Sequence, residues 1–210
     1  VACAGGGYAV HAEFAAVPQN LMAHIPDDVS FEQAAFTTIG AVAMQGFRLA
    51  DVQVGAQIAV IGLGLLGLLT VGIASAAGCQ VLGVDLDPGR VALASQMGAH
   101  VAVPRSDAVE AALAFSHGRG VDAVLICADS TSNDPLELAG EIARDRAKVI
   151  AVGAISLEVP RKSFYEKELD LVVSRSYGPG RYDKNYEEKA MDYPIGYVRW
   201  TETRNMEAFL

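Results

Sequence analysis

The hydrophobic pattern of the chain changes at about residue 57. Beyond it, short apolar runs typical of strands alternate with longer segments whose apolar residues recur at helical spacing. The predicted strands are Ile58–Ile61, Gln80–Val84, Val101–Val103, Val121–Cys127 and Ala147–Val152. The predicted helices between them are Leu65–Ala77, Asp87–Gly98, Asp107–Phe115 and Pro135–Arg144. Because each strand is a continuous apolar run, the pattern predicts an α/β fold with a parallel sheet covered on both faces.

The segment before this region has a different pattern. Residues Val1–Val17 read as extended chain, interrupted by the glycines at 5 to 7. Ser30 and Gln33 fit a capping box, in which the Gln side chain returns to the Ser amide. This box begins a predicted helix that runs to about Leu49, with a break near residues 37 to 40.

The segment after residue 160 is mixed. Residues 164–176 predict a short polar helix and one further β-rich run, Leu171–Ser174. The next segment, Tyr177 to Trp200, holds five of the seven Tyr and the single Trp and has no clear period. It predicts an ordered, irregular excursion, and Thr203–Leu210 begins another helix.

A glycine motif lies between the first predicted strand and its helix. Gly62 permits a tight turn, Gly64 lets backbone amides approach a pyrophosphate, and Gly67 lets the helix pack on the sheet. The helix directs its N-terminal amides and positive dipole end at the phosphates. The alternative is a glycine-rich turn needed only for packing. The strand before the motif and the helix after it favour dinucleotide binding.

An acidic residue ends the second predicted strand. Asp85 follows Gly67 at about the distance at which a carboxylate accepts hydrogen bonds from the adenosine ribose. A carboxylate there repels a 2′-phosphate, so the sequence favours NAD over NADP. Arg90 could reverse that preference, although it also reads as a solvated helix residue.

Composition excludes several classes of protein. The net charge of −9 and the absence of Lys/Arg runs argue against nucleic acid as a partner. The apolar stretch Ile58–Ala77 is interrupted by four glycines, which argues against a membrane span. Three widely spaced Cys, without a CxxC pair, argue for a reducing compartment and hence a cytoplasmic protein.

Signals for metal or nucleophilic chemistry are weak. His11 and Glu13 share a strand face, but no third ligand is near them in sequence. Cys79 and Cys127 read as small buried side chains. The Tyr-rich tail has two readings: a substrate site in which Arg181 or Arg199 meets an anionic group, or an interface between subunits or domains. The sequence identifies no catalytic group.

The order of motifs resembles the medium-chain dehydrogenases/reductases, the family of zinc-type alcohol dehydrogenases. The matching segments cover nearly the whole chain: Gly7–Phe14, Val17–Leu21, Ile25–Ala35, Val60–Gly67, Val84–Asp85, Gly98–Ala99, Gly120–Asp122 and Val149–Gly153. The resemblance implies a Rossmann doubly wound parallel sheet with remnants of a GroES-like β domain. It divides the chain into a GroES-like remnant (1–26), a Rossmann NAD-binding domain (27–177) and the Tyr-rich excursion with its C-terminal helix (178–210).

The resemblance also assigns cofactor contacts. Gly62, Gly64, Leu65, Leu66 and Gly67 would hold the pyrophosphate, and Asp85 would bind the adenosine ribose. The nicotinamide side of the cleft would be formed by Cys127, Ala128, Val152 and Gly153. It further implies a homodimer, with Leu171–Ser174 as the edge strand that pairs across a twofold axis.

Two departures from the family pattern concern zinc. Ile39 stands where zinc-dependent members have a Cys ligand, and the cysteines of the structural zinc are absent. The resemblance therefore leads us to expect no zinc in this chain. Because the chain begins with Val1 and stops inside a predicted helix, we also expect it to be a fragment of a longer protein.

These observations favour an NAD-dependent oxidoreductase that transfers hydride to or from a carbonyl or alcohol carbon of a small molecule. The tail resembles a subgroup in which such a unit is joined to a second oxidoreductase domain, which implies a sugar or sugar nucleotide as substrate. A zinc-free quinone or enoyl reductase and a non-catalytic NAD-sensing or assembly module are the alternatives.

Overall fold

The computed structural model describes residues 1–210, which divide into two compact units. The first consists of Val1–Gln45 together with Arg175–Leu210, and the second of Gly46–Ser174. The strands are β1 (Ala2–Cys3), β2 (Met22–Ala23), β3 (Gln57–Ile61), β4 (Gln80–Asp85), β5 (Val101–Pro104), β6 (Val121–Ile126), β7 (Ala143–Ala151) and β8 (Asp170–Val173). The helices are α1 (Phe31–Ala34), α2 (Thr37–Ala50), α3 (Leu65–Ala76), α4 (Pro88–Gln96), α5 (Ala108–Phe115), α6 (Asp134–Ile142), α7 (Arg161–Glu166), α8 (Lys184–Glu187) and α9 (Glu202–Phe209).

The unit Gly46–Ser174 is built on a six-stranded parallel sheet with the order β5-β4-β3-β6-β7-β8. This is the strand order of a doubly wound Rossmann sheet, so the predicted fold class is confirmed. The central strand β3 pairs with β4 through Ile61 and Val84 and with β6 through Ile61 and Ile126. The three strands therefore end side by side at one edge of the sheet.

Alternation along the strands divides the core into two layers. Ile61, Val84 and Ile126 pack on one face with apolar residues of α5 and α6. Val60, Leu125 and their neighbours pack on the other face with residues of α3 and α4. Because side chains alternate across a strand, continuous apolar runs such as β3 fill both layers.

Most predicted elements are confirmed, with boundaries shifted by a few residues. Asp87 is the N-cap of α4, with Pro88 as the first helical residue. The main difference is β7, which begins at Ala143 although Arg144 was predicted to end the preceding helix. The β6–β7 register shifts between Val121 and Ala123, and Arg146 has a positive φ of 58°. This bulge contains Arg144, Asp145 and Arg146, the polar residues that precede the apolar run predicted as a strand.

In the other unit, the capping box of Ser30 and Gln33 is confirmed by its two reciprocal hydrogen bonds. The predicted helix is broken between α1 and α2, two residues before the expected break. The extended reading of Val1–Val17 was wrong, since only Ala2–Cys3 is a strand, paired with Met22–Ala23. The chain turns at Gly5 and Gly7, where φ is 99° and 90°. These glycines explain why no longer strand forms.

The division into units places the boundaries differently from the sequence expectation of 26/27 and 177/178. One apolar cluster contains Ala4, Ala23, Ala41, Tyr177 and Met206. Much of α2 and residues 175–177 therefore pack with the two ends of the chain. The GroES-like assignment of residues 1–26 stays a prediction.

Candidate cofactor-binding site

A cleft of about 540 Å³ lies at the carboxyl ends of β3, β4 and β6. In open parallel sheets this edge is where ligands bind, at the point where successive connections pass to opposite faces. Seven of the ten predicted cofactor contacts line it: Gly62, Gly64, Leu65, Leu66, Asp85, Cys127 and Ala128. The structure thus brings together residues from three separate loops.

The glycines of the motif differ in what surrounds them. Gly62 has a φ of 89°, and a Cβ on it would lie 2.6 Å from the amide nitrogen of Ala128. A Cβ on Gly67 would lie 1.8 Å from the carbonyl oxygen of Gly62. A Cβ on Gly64 would meet no atom within 4 Å. Two glycines are therefore required by packing, whereas the third faces open space in the cleft.

The first turn of α3 faces the same space. Its N-cap is Gly64, which has no side chain, so no side-chain oxygen caps the helix. Gly64, Leu65 and Leu66 all line the cleft. An uncapped first turn presents backbone N–H groups and the positive end of the helix dipole, which together suit an anionic group.

Asp85 is held at the end of β4 by two backbone amides. Its Oδ2 accepts a hydrogen bond from Leu63 N at 2.6 Å, and its Oδ1 accepts one from Asp87 N at 2.9 Å. The residue is 9% exposed. Each carboxylate oxygen keeps a further lone pair for a hydroxyl donor, and the side chain cannot rotate without losing both bonds.

Arg90 and Arg105 also line the cleft, and of the two only Arg90 had been linked to cofactor binding from the sequence. Arg90 Nη1 lies 3.8 Å from Asp85 Oδ2, with its side chain 55% exposed. Arg105 forms a fork with Asp134, with distances of 2.7 to 3.1 Å. Arg105 follows β5 and Asp134 begins α6, so only the folded sheet brings them together. The only sequence signal that placed Arg105 at the cleft was its position directly after a strand, at the edge of the sheet where ligands bind.

Cys127 lines the cleft as an uncharged thiol. Its Sγ lies 3.5 Å from Thr70 Oγ1, and that hydroxyl also donates to the carbonyl of Leu66 at 2.8 Å. Burial raises the pKa of Cys127 to about 12, opposed by the contact with Thr70. A thiol in this state is a small apolar wall rather than a nucleophile.

The remaining predicted contacts lie outside the lining of this cleft. Gly67 packs against the carbonyl of Gly62, as described above. Val152 packs against Gly46, since a Cβ on that glycine would lie 2.7 Å from Cγ2 of the valine. A Cβ on Gly153 would lie 2.0 Å from the carbonyl oxygen of Ala128, so close packing requires this glycine. Their roles near a nicotinamide stay predictions.

No group of three or more His, Cys, Asp or Glu side chains in residues 1–210 could hold a metal ion. All three cysteines are free. No helix has the length and apolar character that a membrane span needs.

In the Tyr-rich tail, the two arginines considered as anion ligands contact rings of their own segment. Arg181 lies over Tyr177 and Tyr182 at 5.5 and 4.1 Å from the ring centroids, and Arg199 lies over Trp200 at 3.8 Å. Arg181 also donates to Glu187 at 2.6 Å. These contacts leave both readings of the tail, substrate site and interface, as predictions.

The chain is similar in sequence to known dehydrogenases. Residues 66–192 match the model of a family described as zinc-binding dehydrogenase. The (R,R)-butanediol dehydrogenase of Bacillus subtilis is 36% identical over 120 residues, covering 56% of this chain and 34% of that protein. The sorbitol dehydrogenase of the same organism is 32% identical over 178 residues, covering 80% of this chain and 47% of the relative.

Solved structures agree with the fold. A structure from Sinorhizobium meliloti 1021, described as a zinc-binding dehydrogenase bound to NADP, superimposes with a TM-score of 0.65 at 27% identity. The match covers 71% of this chain and 46% of that one. The chain thus spans less than half the length of these three proteins.

Proposed function

Because this chain belongs to the zinc-binding dehydrogenase family, we propose that residues 46–174 bind NAD(H) and that the protein is an NAD-dependent oxidoreductase. It transfers hydride to or from a carbonyl or alcohol carbon. The observation that supports this most directly is the cleft itself, which combines the uncapped first turn of α3 with the fixed carboxylate of Asp85.

The residues fit the cofactor part by part. The open space in front of Gly64 suits a pyrophosphate, which the amides of the first turn of α3 would bind. Asp85 would accept hydrogen bonds from the hydroxyls of the adenosine ribose. Cys127 and Ala128 would form the wall on the nicotinamide side. When bound, the nicotinamide supplies or accepts the hydride.

The substrate proposed is a small alcohol, polyol or sugar. The matched relatives are named for butanediol and sorbitol, which are polyhydroxy compounds. Within residues 1–210 the donor set does not fit a zinc ion, and Ile39 offers no ligand. No step of the reaction is therefore assigned to a metal here.

Ile39, at the position where zinc-dependent members of the family have a Cys ligand, is the observation that favours a second candidate, a reductase of activated C=C bonds that works without zinc. Turnover of the full-length protein with polyols, sugars and enones, combined with metal analysis, separates the two candidates. Reduction of enones in a metal-free preparation, without polyol oxidation, would favour the second one.

NAD is proposed over NADP. A 2′-phosphate would approach the carboxylate of Asp85, which is held in place and buried. Arg90 is the residue that could reverse this preference, since it lies at the cleft beside Asp85. Calorimetry of residues 1–210 with NADH and NADPH tests both statements. Tighter binding of NADH is expected, and a folded sample that binds neither nucleotide would refute the central proposal.

A homodimer and a cytoplasmic location are further parts of the proposal. The candidate interface is the free edge of the sheet at β8, where Val173 is 62% exposed. An unpaired edge with exposed apolar side chains is suited to pairing with a second copy. Sedimentation equilibrium of wild type and Val172→Pro, which disturbs β8, tests this assembly.

A further inference from the structure

Glu202, the first residue of α9, has a side chain that is fully enclosed. It is 0% exposed, and neither carboxylate oxygen has a hydrogen-bond partner. Its backbone amide donates to the carbonyl of Pro179 at 2.8 Å, which fixes the residue where it is. An ionised carboxylate in such a place loses its hydration and gains no donor in return.

None of the charged and titratable groups that face Glu202 donates a hydrogen bond to its carboxylate. Glu187 and Tyr186 come from α8, and Arg175, Tyr177 and Arg181 come from the chain before α8. Arg181 already donates to Glu187 at 2.6 Å, so its charge is matched by that carboxylate. The hydroxyl of Tyr177 is buried and also has no partner. A second negative charge here is opposed by Glu187.

The N-terminal end of α9 offsets little of the cost of burying an ionised Glu202. An anion at the first residue of a helix is favoured by the dipole. In α9, however, Thr201 Oγ1 caps the helix by accepting from Arg204 N at 3.4 Å. The carboxylate of Glu202 accepts no amide of this turn.

We propose that Glu202 carries a proton in the folded protein and acts as a proton-operated switch, whose ionisation loosens α9 and the Tyr-rich chain packed on it. Burial is the main reason that the pKa of Glu202 is raised to about 8, and the carboxylate of Glu187 raises it further. The switch would therefore operate near neutral to mildly alkaline pH.

The contacts that loosening of α9 would break connect this helix to the start of the chain. Thr203 Oγ1 donates to the carbonyl of Asn20 at 2.5 Å and shares a hydrogen bond of 2.8 Å with Tyr186 Oη. Met206 packs in the apolar cluster that includes Ala4 and Tyr177. Opening of α9 would expose all of these contacts to solvent together.

The sign of the pH dependence follows from linkage. The folded state binds the proton more tightly than the open state, in which the pKa of Glu202 returns to about 4.5. The stabilising contribution is complete below pH of about 4.5 and decreases as the pH rises toward 8. Above pH of about 8 both states are ionised and the contribution stays constant.

Hydrogen exchange of the α9 amides between pH 5.5 and 9.5 tests the switch in the chain of residues 1–210. After correction for intrinsic exchange, the opening constant of the wild type should rise by up to tenfold per pH unit and level off above about pH 8. In Glu202→Gln this rise should disappear. The matched control is Glu207→Gln on the exposed side of α9, which should behave like the wild type.

A second measurement does not depend on any variant. The ¹³C shift of the Glu202 carboxyl should titrate with a midpoint near 8. A carboxyl that is already ionised at pH 6, or opening constants of wild type and Glu202→Gln that stay parallel over the whole range, would overturn the proposal. Neither measurement needs a cofactor, so the result is independent of the proposed function.

Discussion

Asp85 Oδ2 accepts a hydrogen bond from the backbone amide of Leu63 at 2.6 Å. This bond connects the acid at the end of β4 to the glycine loop that follows β3. The second oxygen accepts Asp87 N, which lies just before α4. One carboxylate therefore holds two loops of the cleft at fixed positions. Its orientation is set before any ligand arrives, which reduces the entropy that binding must overcome.

Replacement of this acid should affect both stability and binding. In Asp85→Asn the amide group can accept from only one of the two backbone donors, and its NH₂ faces the other. We expect a loss of about 1–3 kcal/mol in the free energy of unfolding and roughly ten- to hundredfold weaker binding of NADH. Urea unfolding and calorimetry measure the two effects. Glu110→Gln, an exposed acid with no partner in the cleft, is the control, and equal NADH affinity in both variants would contradict the assignment.

The glycines of the loop should respond differently to a single methyl group. Gly67→Ala would place Cβ 1.8 Å from a backbone oxygen, so we expect a loss of several kcal/mol or failure to fold. Gly64→Ala adds the methyl group to open space, so stability should change by less than about 1 kcal/mol. NADH affinity should nevertheless fall, because the methyl group occupies the cleft. Thermal unfolding with and without NADH distinguishes these outcomes.

The fork between Arg105 and Asp134 should couple β5 to α6. Both side chains are partly exposed, at 27% and 48%, so solvent screens the pair. A double-mutant cycle with Arg105→Met and Asp134→Asn should give a coupling of about 0.5–1 kcal/mol that decreases in 1 M salt. Coupling that is absent at low salt would indicate that the fork adds nothing to stability.

Cys127 should be nearly inert toward alkylation. With its pKa raised to about 12, the thiolate fraction at pH 8 is roughly a thousandfold below that of a thiol with the ordinary value of 9.0. Cys3 should react first with iodoacetamide, because it is only half-buried and the reagent reaches its thiol more readily. Mass spectrometry of peptides over time measures the order, and NADH should slow the labelling of Cys127 further. Reaction of Cys127 as rapid as that of Cys3 would contradict its buried, neutral state.

Local sequence signals predicted the elements that depend on neighbours in the chain. Ser30 and Gln33 form the expected capping box because its partners lie three residues apart. The helix predicted over Leu65–Ala77 is α3, and Gly78 follows it in the left-handed region, with φ of 83°. The apolar runs of β3 and β6 predicted a buried parallel sheet because each fills both layers of the core.

What the sequence could not predict depends on distant residues. The bulge in β7 puts Arg144 in a strand, where it pairs with Asp122 at 2.7 Å. No local pattern distinguishes this from the end of a helix. Arg105 meets Asp134 only because β5 ends and α6 begins at the same edge of the sheet. The unpartnered state of Glu202 likewise exists only after α8 and α9 pack together.

The strand order carries a consequence for how the protein assembles. β4 and β5 follow β3 along the chain with one helix in each connection, so these three strands can associate through short loop closures. β6 pairs with β3 across the chain that forms β4 and β5. Because this pairing joins residues further apart in sequence, it should form more slowly than the pairing of β3 with β4. We expect the side of the cleft formed by the glycine loop and Asp85 to form early on the folding pathway, while the wall at Cys127 is added late. Damage to β6 should then leave a partly ordered intermediate with the glycine loop already in place.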